Sequence, residues 1–325
     1  MQWKTNGMEE HTMKDYSGKV VVITGGTSGL GFALASLLGK AGATVLITGR
    51  REEKGREALE KLQAEGINAT YFQQDVTEPQ SWADLAKKIL QQEGRIDYAF
   101  NNAGVMARPK SAMELPLEDW NWVLDTNLYG VLYGLRTFTG MMLKQENGGT
   151  IVTTSSTGAI APFSMWGPYS VSKAASTRLV ETFAGEMKLG KITKIHYSVV
   201  LPGVFESDIA NSTLHRPSKY ARKPGEEDKP MPVSKAHTPD GDKLGMITAE
   251  ETAKALIEGM EKGLFYIYPH EDLSMALLPE QFKAMRNEEA TADQAIFDFA
   301  FYAKKLKAQG IDAGASNLQN MSQDV

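Results

Sequence analysis

From Lys19 onward the chain alternates short apolar runs with longer amphipathic stretches, and this alternation is what most restricts its fold. The runs read VVVIT at 20–24, TVLIT at 44–48, then NATYFQ, IDYAF, TIVTT and IHYSVV. Each reads as a buried strand. Between them GLGFALASLLGKAG, EEKGREALEKLQAEG and EPQSWADLAKKILQQEG repeat apolar residues every three or four positions and end in glycine, as helices commonly do. Strand and helix in turn predict an α/β fold, a doubly wound, mostly parallel sheet with helices on both faces, in a single domain. A length of 325 residues allows a second domain but does not require one.

The regular pattern stops near Pro202. Residues 211–245 hold five prolines and many charges without periodicity, which predicts a long excursion, and excursions of that length inside a compact domain are usually functional or disordered. Helix is expected again at AEETAKALIEGMEKG, a strand at LFYIY, and helices through EQFKAMRNE and AIFDFAFYAKKLKAQG before a solvated tail. The expected division is a flexible segment 1–17, one domain over 18–270 that includes the excursion, and a helical extension and tail over 271–325.

Hydrophobic residues make up 42% of the chain and charged residues 23%, enough apolar material for a large core. A net charge of -5 provides no basic field for a polyanion, so nucleic acid is not an expected partner. The absence of cysteine removes disulfides, thiolate nucleophiles and thiolate metal sites. The five histidines, His11, His196, His215, His237 and His270, show no ligand spacing and read as packed or solvated, and no metal is expected. The first 17 residues lack the apolar run of a secretory signal and no stretch reaches about 18 consecutive apolar residues, so the expectation is a cytoplasmic protein without an integral membrane segment.

The first strand runs directly into Thr24-Gly25-Gly26-Thr27-Ser28-Gly29-Leu30-Gly31, which opens the first helix. A glycine turn at that point presents backbone N–H groups and the positive helix end to a pyrophosphate. Asn101-Asn102-Ala103-Gly104 follows the strand IDYAF, Asn127 lies in DTNLYG on the next helix, and Ser156 follows IVTTS. Tyr169 with Lys173 comes 13 residues later, and Pro202-Gly203 comes after the next strand. With T-G-x-x-x-G-x-G spacing and these motifs in this order, the chain resembles the short-chain dehydrogenase/reductase family, strongly over about 17–210 and more loosely over 245–268. The resemblance implies a Rossmann-type fold and a cofactor site that includes Gly25, Thr27, Ser28, Gly29, Leu30, Gly31, Asn102, Ala103 and Gly104.

Cofactor choice turns on the residue after the second strand, where an acidic side chain would bond the ribose 2′-hydroxyl of NAD and repel a 2′-phosphate. Here Gly49 precedes Arg50 and Arg51. The missing carboxylate leaves room for a phosphate and a guanidinium offers it a forked contact, so NADP(H) is expected, with NAD(H) possible and a solvated helix start as the alternative reading of Arg50. Asp75-Val76 resembles the family's adenine-holding pair, while a helix N-cap is a second reading, for which Thr77 serves equally well.

Reducing a ketone leaves charge on oxygen, so the site needs a proton donor and a fixed hydrogen bond there. Tyr169 and Ser156 look like those groups. Lys173 stands one helical turn beyond Tyr169 on the same face, where an ammonium would lower the phenol pKa. The family resemblance adds that Lys173 bonds the nicotinamide ribose together with Tyr169, and that Asn127 holds a water linking Lys173 to solvent. It also places Pro202, Gly203 and Val204 along the nicotinamide carboxamide, with Ser207 where family members often carry threonine.

Substrate contacts are expected from Val105, Met106, Phe163, Met165, Trp166, Phe205 and Ile209, a mostly apolar set suited to a bulky hydrophobic ketone or secondary alcohol. Equally, these residues could simply fill core. The 211–245 excursion is expected to be a substrate lid or an oligomer contact. The resemblance implies a homo-oligomer, dimer or tetramer, paired through helices at about 117–144 and 167–189. The function expected is NADP(H)-dependent interconversion of ketone and secondary alcohol by hydride transfer. The alternatives are an NAD-linked alcohol dehydrogenase, a net non-redox step such as epimerisation, or a dinucleotide sensor without catalysis.

Overall fold

A computed structural model describes residues 12–205, 207–222 and 247–270, and the separate positions 274, 278, 279, 281, 282, 285 and 286. Seven strands form one sheet: β1 (Val20–Thr24), β2 (Thr44–Gly49), β3 (Ala69–Gln73), β4 (Tyr98–Asn101), β5 (Gly149–Thr154), β6 (Ile195–Val200) and β7 (Tyr266–Ile267). Their order is β3-β2-β1-β4-β5-β6-β7, and every neighbouring pair is parallel. Helices α1 (Gly29–Lys40), α2 (Glu52–Ala64), α3 (Pro79–Gln92), α4 (Leu117–Leu124), α5 (Gly130–Lys144), α6 (Gly167–Leu189) and α7 (Ala249–Glu261) fill the connections.

The continuous apolar strands follow from this two-sided cover. Side chains alternate across a strand, so Val21 and Ile23 of β1 join Leu34, Leu38, Leu256 and Ile257 under α1 and α7. Val20 and Val22 join Ile89, Leu135, Phe138 and Val180 under α3, α5 and α6. The connections reverse direction between β1 and β4, and in such sheets a crevice opens there, beyond the carboxyl ends of the strands.

Several expected boundaries move. The segment expected to be flexible up to residue 17 is packed from Lys14: Tyr16 is 2% exposed, donates from its hydroxyl to Glu261 at 2.9 Å and sits against Tyr98. No periodic pattern marks six residues ahead of a strand, which is why the sequence does not show this anchor. The helix expected over 117–144 is interrupted by a π-turn at Asp125–Tyr129, while the one expected at 167–189 is α6 as observed. The strand at LFYIY shrinks to Tyr266–Ile267. Of the 211–245 excursion, residues 211–222 form part of two 3-10 turns, Ile209–His215 and Ser218–Tyr220; the remainder, like most of 271–325, lies outside the described residues. Among those described, no helix is long and apolar enough to cross a membrane.

Candidate active site

The glycine turn and the Asn102 turn form one stitched unit at the mouth of the crevice. Gly25 has φ +65°, and a Cβ there would stand 2.8 Å from the Ala103 Cα; at Gly31 a Cβ would run into the Gly25 carbonyl and the Asn102 side chain. Glycine is therefore required at both positions for backbone to meet backbone. Asn102 Nδ2 donates to the carbonyls of Thr24 (3.1 Å) and Gly25 (3.3 Å), and the Thr24 hydroxyl accepts the N–H groups of Asn102 and Ala103 at 3.0 and 3.1 Å. Ser28 precedes α1 without capping it by its side chain, so the amide donors of the first turn point to an anion unopposed. Thr27, Ser28, Gly29 and Leu30 line the cleft with Asn102, Ala103 and Gly104, and Gly31 supports them from beneath.

At the other end of this cleft lie Arg50, Asp75 and Val76. The Asp75 carboxylate accepts from the Thr77 N–H (3.0 Å) and hydroxyl (2.8 Å), while the residue capping α3 is Glu78, without a side-chain bond; the N-cap reading of Asp75 and Thr77 is therefore corrected. Arg50 donates to the His215 carbonyl, and its burial lowers its pKa from the ordinary value. His215 and Ser212 line the same cleft, so the 209–215 turn forms part of its wall. Gln74, 3% exposed, accepts the Thr48 hydroxyl at 2.7 Å and keeps its Nε2 without a partner in the cleft wall. Sequence reasoning missed both Gln74 and His215; the position of Gln74 directly before Asp75 is the one signal that could have found it.

The reacting end is buried. Tyr169 is 9% and Lys173 3% exposed, and both line the cleft. Ser156 follows β5 and caps a 3-10 turn by accepting the Gly158 N–H at 3.1 Å. Burial pushes the Tyr169 phenol up, against a smaller lowering by its hydrogen bond to Ser156. Lys173 Nζ donates to the Thr154 carbonyl at 2.8 Å, lies 5.6 Å from the centre of the Tyr169 ring, and is held down at about 8 by burial. The lowering of the phenol expected from Lys173 is not found: burial raises it, the opposing contribution comes from Ser156, and the ammonium meets the ring face and a carbonyl. Asn127 sits in the π-turn, fully buried, with Oδ1 accepting the Val105 N–H (2.8 Å) and Nδ2 donating to the Val105 carbonyl (2.9 Å) and to Ser172 (3.1 Å). Its side chain thereby fixes the turn after Gly104, whose Cβ position lies 3.4 Å from Lys173 Nζ.

Of the expected substrate contacts, Val105, Phe205 and Ile209 line the cleft, and Phe163 stacks on Tyr169 at 6.4 Å and 12°. Met106 and Trp166 lie outside that lining, and Met165 holds an unusual φ of +71° between Phe163 and Tyr169. Pro202, Gly203 and Ser207 line the cleft, whereas the Val204 carbonyl turns to His270. No cluster of three potential metal ligands occurs among the described residues. A glycine cradle, uncapped helix donors and an orphaned Gln74 amide fit a dinucleotide, and Asp75, Arg50, Tyr169 and Lys173 line the same cleft and could hold it.

Comparison with known proteins agrees. Residues 19–217 match the short chain dehydrogenase family model. The chain is 31% identical over 266 residues to a C alpha-dehydrogenase of Sphingobium sp., covering 82% of this chain and 85% of that protein. It is similar to the crystal structure of a short chain dehydrogenase/reductase from Burkholderia phymatum in complex with NAD (26% identity, TM-score 0.78, 88% of this chain and 100% of the other). A metagenomic short-chain oxidoreductase in complex with NADP matches at 30% identity and TM-score 0.55 over 61% of this chain and 90% of its own. A parallel seven-stranded sheet, a glycine-lined cleft at its switch point, and a buried tyrosine and lysine at one end of that cleft make this chain a member of the short-chain dehydrogenase/reductase family, oxidoreductases that act on CH–OH and C=O groups.

Proposed function

We propose that the chain is an NADP(H)-dependent enzyme that interconverts a bulky hydrophobic ketone and its secondary alcohol. The observation that carries this is the buried pair Tyr169 and Lys173 at one end of a cleft whose neighbouring side chains include Val105, Phe205 and Ile209. When bound, a nicotinamide dinucleotide supplies or accepts the hydride. Tyr169, kept protonated by burial, holds the proton that the developing alkoxide takes, and Ser156 fixes the oxygen by a hydrogen bond. Lys173 places positive charge beside the phenol in the reverse direction, and Asn127 holds the turn that shapes this end, with a water relay to Lys173 as its further role.

NADP(H) is favoured because Gly49 carries no carboxylate and Arg50 lines the cleft, with its guanidinium anchored on the His215 carbonyl, where it would meet a 2′-phosphate. The bound NAD of the Burkholderia relative supports NAD(H) as the second reading. In this proposal the enzyme is a cytoplasmic homo-oligomer paired through the helical stretches 117–144 and 167–189, where Tyr129, Leu143 and Val171 are exposed. Dissociation constants for NADPH and NADH, each repeated with Arg50→Ala, test the cofactor. NADPH is expected to bind more tightly and to lose about tenfold or more in the variant, the value of a charge-assisted hydrogen bond. Tighter binding of NADH, or an indifferent variant, would replace the reading with an NAD-linked dehydrogenase.

A further inference from the structure

His270 lies three residues beyond β7, and both of its ring nitrogens reach the loop that follows β6. The Gly203 N–H donates to Nδ1 at 3.0 Å, and Nε2 lies 3.0 Å from the Val204 carbonyl. A carbonyl can only accept, so Nε2 carries the proton; Nδ1 accepts and is bare. The ring is therefore neutral in one defined tautomer, and burial, which pushes its pKa down, agrees with that.

The place of this contact gives it meaning. The ladder between β6 and β7 continues to Leu201, whose N–H reaches the Ile267 carbonyl at 2.9 Å, and β7 itself ends at Ile267. The next inward donor on that side is Gly203, and the imidazole meets it where the strand has stopped. On the opposite side the Pro202 carbonyl accepts the Thr157 N–H at 3.0 Å, one residue after Ser156. Residues 202–204 are thus held between the Ser156 turn and His270, with Pro202 and Gly203 facing the cleft.

We propose that His270 is a positioning residue for the reacting half of the cofactor site: its neutral imidazole clamps Gly203 and Val204 and so sets the wall against which the nicotinamide lies. The adenosine half, built by Arg50, Asp75 and Val76 just after β2 and β3, is indifferent to it. The proposal rests on the cleft binding a nicotinamide dinucleotide, in either its phosphorylated or its unphosphorylated form.

Calorimetric titration of the full chain with NADPH and 2′-phospho-ADP-ribose, and with NADH and ADP-ribose, separates the nicotinamide contact from the rest because each fragment lacks only the nicotinamide ring. His270→Ala is expected to weaken the better-bound dinucleotide about tenfold while moving its fragment less than twofold. His270→Asn, whose Oδ1 stands where Nδ1 does, is expected to recover most of the loss; His270→Gln, which reaches only the Nε2 position, recovers less. Equal weakening of dinucleotide and fragment, no weakening of either, or an Asn variant no better than Ala would overturn the proposal. Should the alanine variant not fold, ¹⁵N shifts of His270 in the wild-type protein decide: a charged ring or an Nδ1–H tautomer at pH 7.5 overturns it. Failure of the cofactor reading is recognised separately, as wild-type protein that binds a dinucleotide no more tightly than its fragment.

Discussion

At the reacting end of the cleft, polar contacts run between neutral groups and the backbone around one lysine, whereas at the far end the 209–222 strap is held chiefly by charges. Ser155 bonds the Lys173 carbonyl and Thr177, Ser172 bonds the Tyr169 carbonyl, and Asn127 bonds Val105. Across the strap, Arg216 and Arg222 converge on Asp119, Lys219 pairs with Glu78, and Tyr220 donates to Asp125 at 2.7 Å. A neutral frame leaves the electrostatics of the reacting end to Lys173 and Tyr169. A charged strap ties together α4, the residue before α3 and the residue after β2.

The two ends should therefore fail differently. Tyr169→Phe is expected to lower turnover by about two to four orders of magnitude, the usual contribution of a positioned proton donor, with dinucleotide binding retained. Steady-state rates alongside cofactor titration measure both, and unchanged turnover would reject Tyr169 as the acid. Asp119→Ala should act on stability: with Asp119 fully buried, removing the shared anion of two arginines costs on the order of 3–5 kcal/mol. Urea unfolding reads this, and a shift near zero would mean that the strap's other contacts hold it without Asp119.

The smallest expected effect returns to the reacting end. Burial holds Lys173 at about 8, below the ~10.4 of an unfolded chain. Between those values the unfolded chain binds more protons, so stability from this group rises with pH, and below about 8 the cost of the buried ammonium is present in full. Tyr169, raised by burial, acts in the opposite sense above about 10. Urea midpoints at pH 7.5, 8.5 and 9.5 should show the rise in the wild type and lose it in Lys173→Met; the same rise in both would locate it elsewhere.

Much of this is legible in the sequence. Strands β1 to β6 fall within a residue or two of the apolar runs because strands covered on both faces must be apolar throughout. Gly25 and Asn102 directly follow the ends of β1 and β4, which in a parallel array puts both at the carboxyl end of the sheet, while Tyr169 and Lys173 come from α6. The strap was legible only as an interruption. Its prolines and charges forecast irregular backbone, but not that His215 reaches Arg50 and Lys219 reaches Glu78.

Sequence by itself determined the layers, the strand boundaries and the identity of the groups at the reacting end, because periodicity and turn chemistry act over a few residues and are written locally. Tertiary structure alone decided that Tyr16 anchors to α7, that Gln74 keeps a donor in the cleft wall, that burial raises the Tyr169 phenol, and that His270 closes on Gly203. Each of these depends on desolvation or on partners 67 or more residues away, or on a cleft that exists only once β1 and β4 have been brought side by side.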